Sequence, residues 1–364
     1  MIKEPLQNAT GTPLATIHGQ MAESSERMLK GGDVATMHLR LAHKPVAIHA
    51  ASSSLLWAIT TSFRHLTELA DEYRPAVLTI YVWDIGSASA VRVDPPRART
   101  SNRYFIYQCN DYDASLDLEA GEMYCAVKRL TNTLVAYPFR RVLWRWLARQ
   151  KLFPIQGAVL ARGESAVLLC GERGSGRSTA ALECIEAGWD LVADTQCGVS
   201  RLGDTFTVYS LFGCVELDPE YAENFPNWRE HCRPGYRPQP GEQPDEERLD
   251  GNQYSVLGVS DAMPQRMCES ASLRAIAVLM EDPERNGPAT GRIARRAATS
   301  ILMADTRGLD RTTVKQGRRD YVQMTYEVPC FAIMRRDYLE PLAPLLDDVI
   351  ASLASLGSDQ EKTP

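Results

Sequence analysis

The stretch GERGSGRST, residues 171–179, places glycine, arginine and serine at a spacing that can bind phosphate. Gly171, Gly176, Arg177 and Ser178 satisfy the pattern G-x-x-x-x-G-[KR]-[ST]. Glycine lets the backbone take positive φ and approach an anion closely. Successive N–H groups then point into one concavity, and a helix that starts there adds its positive dipole end. Ser178 stands where a hydroxyl would ligate Mg2+, and Thr179 where a second donor would reach a phosphate. Arg177 occupies the place usual for lysine. A guanidinium is planar, longer and always charged, and it binds phosphate in bidentate fashion, whereas lysine delivers a point charge. Chance yields this spacing in roughly 2% of chains of this length, so the flanking elements must decide the reading. The alternative is a Gly/Ser turn that joins a strand to a helix without a ligand.

Those elements have the required order. ESAVLLC (164–170) predicts a buried strand that delivers the loop, and STAALECIEA (178–187) predicts a helix stopped by Gly188. WDLVAD (189–194) predicts the next strand and ends in Asp194. A carboxylate at that position can hold Mg2+ or take a proton from an attacking hydroxyl; it can also simply cap a turn.

Around this unit, FPIQGAVLAR (153–162), LRAIAVLM (273–280) and VPCFAIM (328–334) read as core strands, and YLEPLAPLLDDVIASL (338–353) as a closing helix. HCRPGYRPQPGEQPDEERLDG (231–251) is dense in Pro, Gly and charge and predicts a mobile loop. Upstream, residues 1–35 are polar and weakly periodic, which predicts a flexible tail. PVAIHA (45–50), AVLTIYVW (76–83), YFIYQC (104–109) and MYCAV (123–127) predict strands, and SLLWAITTSFRHLTEL (54–69) a helix. FRRVLWRWLARQ (139–150) predicts an amphipathic helix whose Arg140, Arg141, Arg145 and Arg149 form either a solvated face or a surface for an acidic partner. The resulting division is a tail (1–35), a smaller N-terminal α/β module (36–138), a phosphate-loop core (139–355) and a second flexible tail (356–364).

The chain has 364 residues, 44% of them hydrophobic and 24% charged, as expected of a folded soluble protein. A net charge of −6 leaves no general basic footprint, so nucleic acid is not an expected partner. The apolar runs are too short to cross a bilayer, and the N-terminus has no signal-peptide pattern. Six histidines are scattered without an HExxH pattern. Nine cysteines include no CxxC pair and read mainly as small buried hydrophobes. The expected setting is the reducing cytoplasm, away from membranes.

The block FPIQGAVLARGESAVLLCGERGSGRSTAALECIEAGWDLVAD, with VPCFAIMRRDYLEPLAPLLDDV further on, resembles the HPr kinase/phosphorylase-like serine kinases. That resemblance spans about residues 140–350 and implies a phosphoenolpyruvate carboxykinase-like P-loop core with a mixed β-sheet. It implies ATP and Mg2+ as cofactors and transfer of the γ-phosphoryl group to a serine-type hydroxyl on a protein, peptide or small molecule. It assigns nucleotide binding to Gly171, Gly174, Ser175, Gly176, Arg177, Ser178 and Thr179, metal binding to Ser178 and Asp194, and catalysis to Asp194 and Arg177. The sequence departs from the family pattern at four places. Gln156 replaces a histidine on the substrate side, Arg177 replaces the loop lysine, and Thr195 replaces the second acid of an Asp-Asp pair. Asn252 and Gln253 stand where a basic residue follows the long loop. These departures keep open a second reading, a nucleotide-binding or partner-binding module that has lost turnover. A homo-oligomer also remains open.

Overall fold

Alternating and continuous apolar runs build three β-sheets flanked by helices, which makes the protein α/β with mixed sheets. The structure, a computed structural model, describes residues 12–68, 74–86, 93, 96–172, 174–217, 224–233, 255–282, 284, 289–305, 311–335 and 341–360. The chain divides into two compact units with the boundary between Gln150 and Lys151. The amphipathic helix at 139–150 therefore belongs to the first unit and not to the phosphate-loop unit expected from sequence.

The first unit carries a seven-stranded sheet formed by β1 (Ala35–Leu41), β2 (Lys44–Ala50), β3 (Leu78–Asp84), β4 (Arg97–Thr100), β5 (Tyr104–Gln108), β6 (Tyr112–Asp117) and β7 (Glu122–Val127), in the order β1-β2-β3-β7-β6-β5-β4. Ile48, Ile80, Met123, Leu116 and Phe105 stand side by side across it, so alternation places one apolar face over five strands. The opposite face carries His49, Tyr81, Tyr124 and Ser115 in register. Helix α1 (Leu14–Lys30) packs on this second face: His18 Nδ1 lies 3.1 Å from Ser115 Oγ, and Met21 packs with Trp83, Tyr124 and Ala126. Residues 14–30 are thus helical rather than a loose tail; residues 1–11 lie outside the described residues. The predicted helix at 54–69 is shorter, α2 (Ser53–Thr60), and tightens into a 3-10 turn over Thr61–Leu66. Helices α3 (Asn132–Ala136) and α4 (Arg140–Arg149) close the unit's sequence.

In the second unit, the predicted strand FPIQGAVLAR is two strands, β8 (Phe153–Gln156) and β9 (Ala158–Arg162), in different parts of one sheet. Gly157 separates them where a Cβ would meet Leu169 O at 2.6 Å. β9 pairs antiparallel with β10 (Ser165–Gly171), and β10 pairs parallel with β17 (Ser270–Glu281). The other members are β11 (Asp190–Ala193), β12 (Gln196–Leu202), β13 (Thr205–Tyr209), β18 (Ala289–Arg292) and β19 (Cys330–Arg335), the last parallel to β17. A small third sheet holds β14 (Cys214–Leu217), β15 (Cys232–Arg233) and β16 (Ser255–Gly258).

β10 is buried on both faces, so it reads as an unbroken apolar run. Val167 and Leu169 face a core with α5 (Arg177–Glu186) and the helix Ala343–Gln360. Ala166, Leu168 and Cys170 face a second core that includes Ala298, Leu302, Tyr321 and Met324 of two further helices. The closing helix extends through Gln360, beyond the expected start of the tail at 356. Of the expected mobile loop, His231 ends a 3-10 turn and Cys232–Arg233 is β15; residues 234–250, like Asn252 and Gln253, lie outside the described residues. No described helix is long and apolar enough to cross a membrane. Cys109, Cys125, Cys170, Cys184, Cys197 and Cys214 are buried free thiols, and Cys268 and Cys330 are half-buried free thiols.

Candidate active site

The C-terminal ends of three parallel strands, β10, β17 and β19, lie together, and the loop after β10 leaves the sheet there. Such strand ends are where open α/β sheets bind ligands. Gly171 ends β10 in a position without room for a side chain: a Cβ would meet Ser175 Oγ at 2.5 Å and Leu279 O at 2.9 Å. Gly174 and Gly176 take φ of +83° and +73°, the left-handed region that glycine enters at little cost. Gly176 is the N-cap of α5, and no side chain caps that helix end. Its first-turn N–H groups are the donors a bound anion would satisfy. Ser175 Oγ is buried and has no hydrogen-bond partner, a polar atom whose isolation costs energy until something reaches it.

Arg177 is the first residue of α5, Ser178 the second, and Thr179 is buried behind them. The chain returns to this point through β11, and Asp194 follows it with 1% of its surface exposed. The Ser178 hydroxyl donates to both carboxylate oxygens, at 3.1 Å to Oδ1 and 2.9 Å to Oδ2. Thr195 Oγ1 donates to Oδ2 at 3.2 Å, and the Glu216 backbone N–H of β14 donates as well. Burial nevertheless holds the Asp194 carboxyl above its ordinary range; the hydrogen bonds and the nearby Arg177 charge offset this only in part.

Thr195, next to Asp194, has φ of +67°. The Gln196 N–H reaches back to the Asp194 carbonyl at 2.7 Å and closes a tight turn around it. A β-branched residue in this conformation stores about 1–3 kcal/mol of strain, a cost found at functional sites. Gln156 ends β8 opposite Gln196, and Gly157 N–H bonds Thr195 O at 3.1 Å, so Gln156 lies in sequence and register beside the same turn. The described site residues predicted from sequence thus fall within two adjoining segments, residues 171–179 and Asp194–Thr195, with Gln156 flanking the second.

Sequence reasoning missed Arg335. Its side chain is 1% exposed at the end of β19, and Nη2 donates to the carbonyls of Ser175 at 2.8 Å and Gly176 at 3.1 Å. It also missed the Glu216 N–H. Neither carries a local signal, because Arg335 reaches the loop, and the Glu216 N–H reaches Asp194, from other strands.

The oxygen donors of Ser178 and Asp194, a hydroxyl and a carboxyl group side by side, suit a hard divalent cation such as Mg2+. The glycine-shaped loop, the uncapped helix end and the partnerless Ser175 hydroxyl suit the phosphates of a nucleotide. Among the described residues, no cluster of three or more His, Cys, Asp and Glu offers another metal site.

No known family profile matches the sequence, and no curated protein matches it. Among solved structures, the chain is similar to the Hpr(Ser) kinase/phosphatase from Coxiella burnetii, at 11% identity, over 57% of this chain and 93% of that one, with a TM-score of 0.30. At that TM-score the likeness identifies neither fold nor activity.

Proposed function

We propose that this protein is an ATP-dependent phosphotransferase of the HPr kinase-like type, which moves the γ-phosphoryl group to a hydroxyl of a protein, peptide or small molecule. The observation that carries the reading is the Ser178 hydroxyl bonded to both oxygens of the buried Asp194 beside an uncapped, glycine-entered helix end. Phosphate donors, a cation-binding pair and a candidate base converge there, as phosphoryl transfer requires.

In this reading the N–H groups from Gly174 to Thr179 hold the phosphates, and Arg177 neutralises their charge. Ser178 and Asp194 hold Mg2+, which when bound neutralises charge on the phosphate oxygens. The Ser178 proton now given to Asp194 must turn away before either carboxylate oxygen is available. The acceptor oxygen then forms its bond to Pγ as the bond from Pγ to the bridging oxygen of ADP breaks. Asp194 takes the acceptor's proton as the bond to Pγ forms.

Incubation with γ-labelled ATP, Mg2+ and candidate hydroxyl acceptors tests this. The expected result is transfer by the wild type and its loss in Asp194→Asn, with nucleotide binding retained. A second reading, nucleotide binding without turnover, is favoured by Thr195 at the position of the second acid, where it donates to Asp194 instead of adding a charge. Tight binding with no transfer to any acceptor would select it.

A further inference from the structure

Among the described residues of the second unit, the positively charged side chain most enclosed by the core lies against the phosphate loop. Arg335 leaves the end of β19, in register with Glu281 of β17, and its Nη2 reaches the carbonyls of two successive loop residues, Ser175 and Gly176. A trans peptide is planar, with its C=O and N–H on opposite sides. The Ser175 carbonyl shares its plane with the Gly176 N–H, and the Gly176 carbonyl shares its plane with the Arg177 N–H. Drawing both carbonyls toward Arg335 therefore turns both N–H groups the opposite way, onto the outer side of the loop.

The two planes differ in what else holds them. The Gly176 carbonyl also accepts the Ala180 N–H at 2.9 Å, which ties it to the first turn of α5. The Ser175 carbonyl precedes the helix and has no such ladder, while the following residue has φ of +73°, a conformation many non-native loop geometries would compete with. The loop cannot settle toward the sheet on the other side, because Gly171 already leaves no space for even a Cβ beside Ser175 and Leu279.

We infer that Arg335 is the positioning residue of the phosphate site: it fixes the Ser175–Gly176 and Gly176–Arg177 peptide planes so that their N–H groups face the anion. This rests on the phosphate-binding reading of the loop. Arg335 touches no phosphate itself and leaves direct contact to Arg177. Its guanidinium suits the task because the two N–H groups of Nη2 are held in a fixed plane, one for each carbonyl, whereas lysine offers a rotating point donor. A fixed charge behind the planes also polarises them, which strengthens their N–H groups as donors. The loop is thereby preorganised before any ligand arrives.

Titration of Mg·ATP into wild type, Arg335→Lys and Arg335→Met by calorimetry, with backbone NMR of the same samples, tests the inference. Arg335→Met is expected to weaken Mg·ATP about 10- to 100-fold, as loss of a charge-assisted clamp implies. Arg335→Lys is expected to recover part of that affinity, and both variants to shift the Gly176 and Arg177 amide resonances before nucleotide is added. In the wild type, ATP should move those two amides while leaving the Ser175 and Gly176 carbonyl resonances nearly unchanged. Folded variants that bind Mg·ATP like the wild type would overturn the role of Arg335 and leave the phosphate site intact. Large carbonyl shifts in the wild type on binding would overturn it even if neither variant folds. A wild type that binds no Mg·ATP would overturn the phosphate reading itself, and this inference with it.

Discussion

Ser178→Ala removes one hydroxyl and leaves Asp194 buried with fewer donors. The Ser178 proton is shared between two oxygens at 3.1 and 2.9 Å, so it counts as one bond, not two. A hydrogen bond to a charged group contributes about 1.5–3 kcal/mol, and at 1% exposure Asp194 has little access to replacement water, which places the loss near 2 kcal/mol. Alanine's higher helix propensity near the start of α5 returns about 0.5 kcal/mol. The net loss of about 1.5 kcal/mol corresponds to a fall in unfolding temperature of about 3–6 °C for a unit of this size. The assay is urea unfolding at pH 7.5 of wild type, Ser178→Ala, Asp194→Asn and the double variant. The propensity gain is common to both backgrounds and cancels in the cycle. In the Asp194→Asn background the lost bond is neutral, worth about 0.5–1.5 kcal/mol, so a coupling of about 1 kcal/mol is expected. A loss below about 0.5 kcal/mol, or equal losses in both backgrounds, would refute the charge-assisted pairing.

Three further outcomes follow from the same structure. Because burial holds the Asp194 carboxyl above its usual range, its contribution to stability is complete below about pH 4 and lost as pH rises through its folded-state value. Asp194→Asn should therefore be more stable than wild type at pH 7.5, with the difference shrinking toward pH 4 in parallel denaturant melts. Gly171→Ala should cost about 1–3 kcal/mol and weaken ATP, since its Cβ meets the Leu279 carbonyl at 2.9 Å and backbone cannot yield as a side chain can; unfolding and calorimetry read both. In the first unit, Lys128→Met should cost about 3–5 kcal/mol by removing the buried cation that Asp113 now meets at 2.6 Å. The double change Lys128→Met/Asp113→Leu should recover most of that in the same unfolding assay.

What was legible in the sequence is what is local. β10, the loop, α5 and the strand ending in Asp194 follow one another within thirty-odd residues, so pattern and spacing suffice to read them. β6 was missed because DYDASLD looks polar, yet each polar side chain on one face finds a distant partner: Asp113 with Lys128, Ser115 with His18, Asp117 with Arg103. Helix α1 was missed for the complementary reason. It docks on that polar face, so its buried positions include His18 and Ser25 beside only Ile17 and Met21, and its apolar period is faint. The break at Gly157 depends on the close approach of Leu169, which hydropathy cannot register. Arg335, one arginine of two at the end of an apolar strand, looks like a solvated strand end; only the pairing of β19 with β17 carries it to the loop.

The most direct test of the central claim is a crystal structure with Mg2+ and a non-hydrolysable ATP analogue. The account predicts the triphosphate within hydrogen-bond distance of the N–H groups from Gly174 to Thr179, Mg2+ on Ser178 and Asp194, and Arg335 still bonded to the Ser175 and Gly176 carbonyls. An analogue bound elsewhere, or a loop left empty at saturating nucleotide, would contradict it.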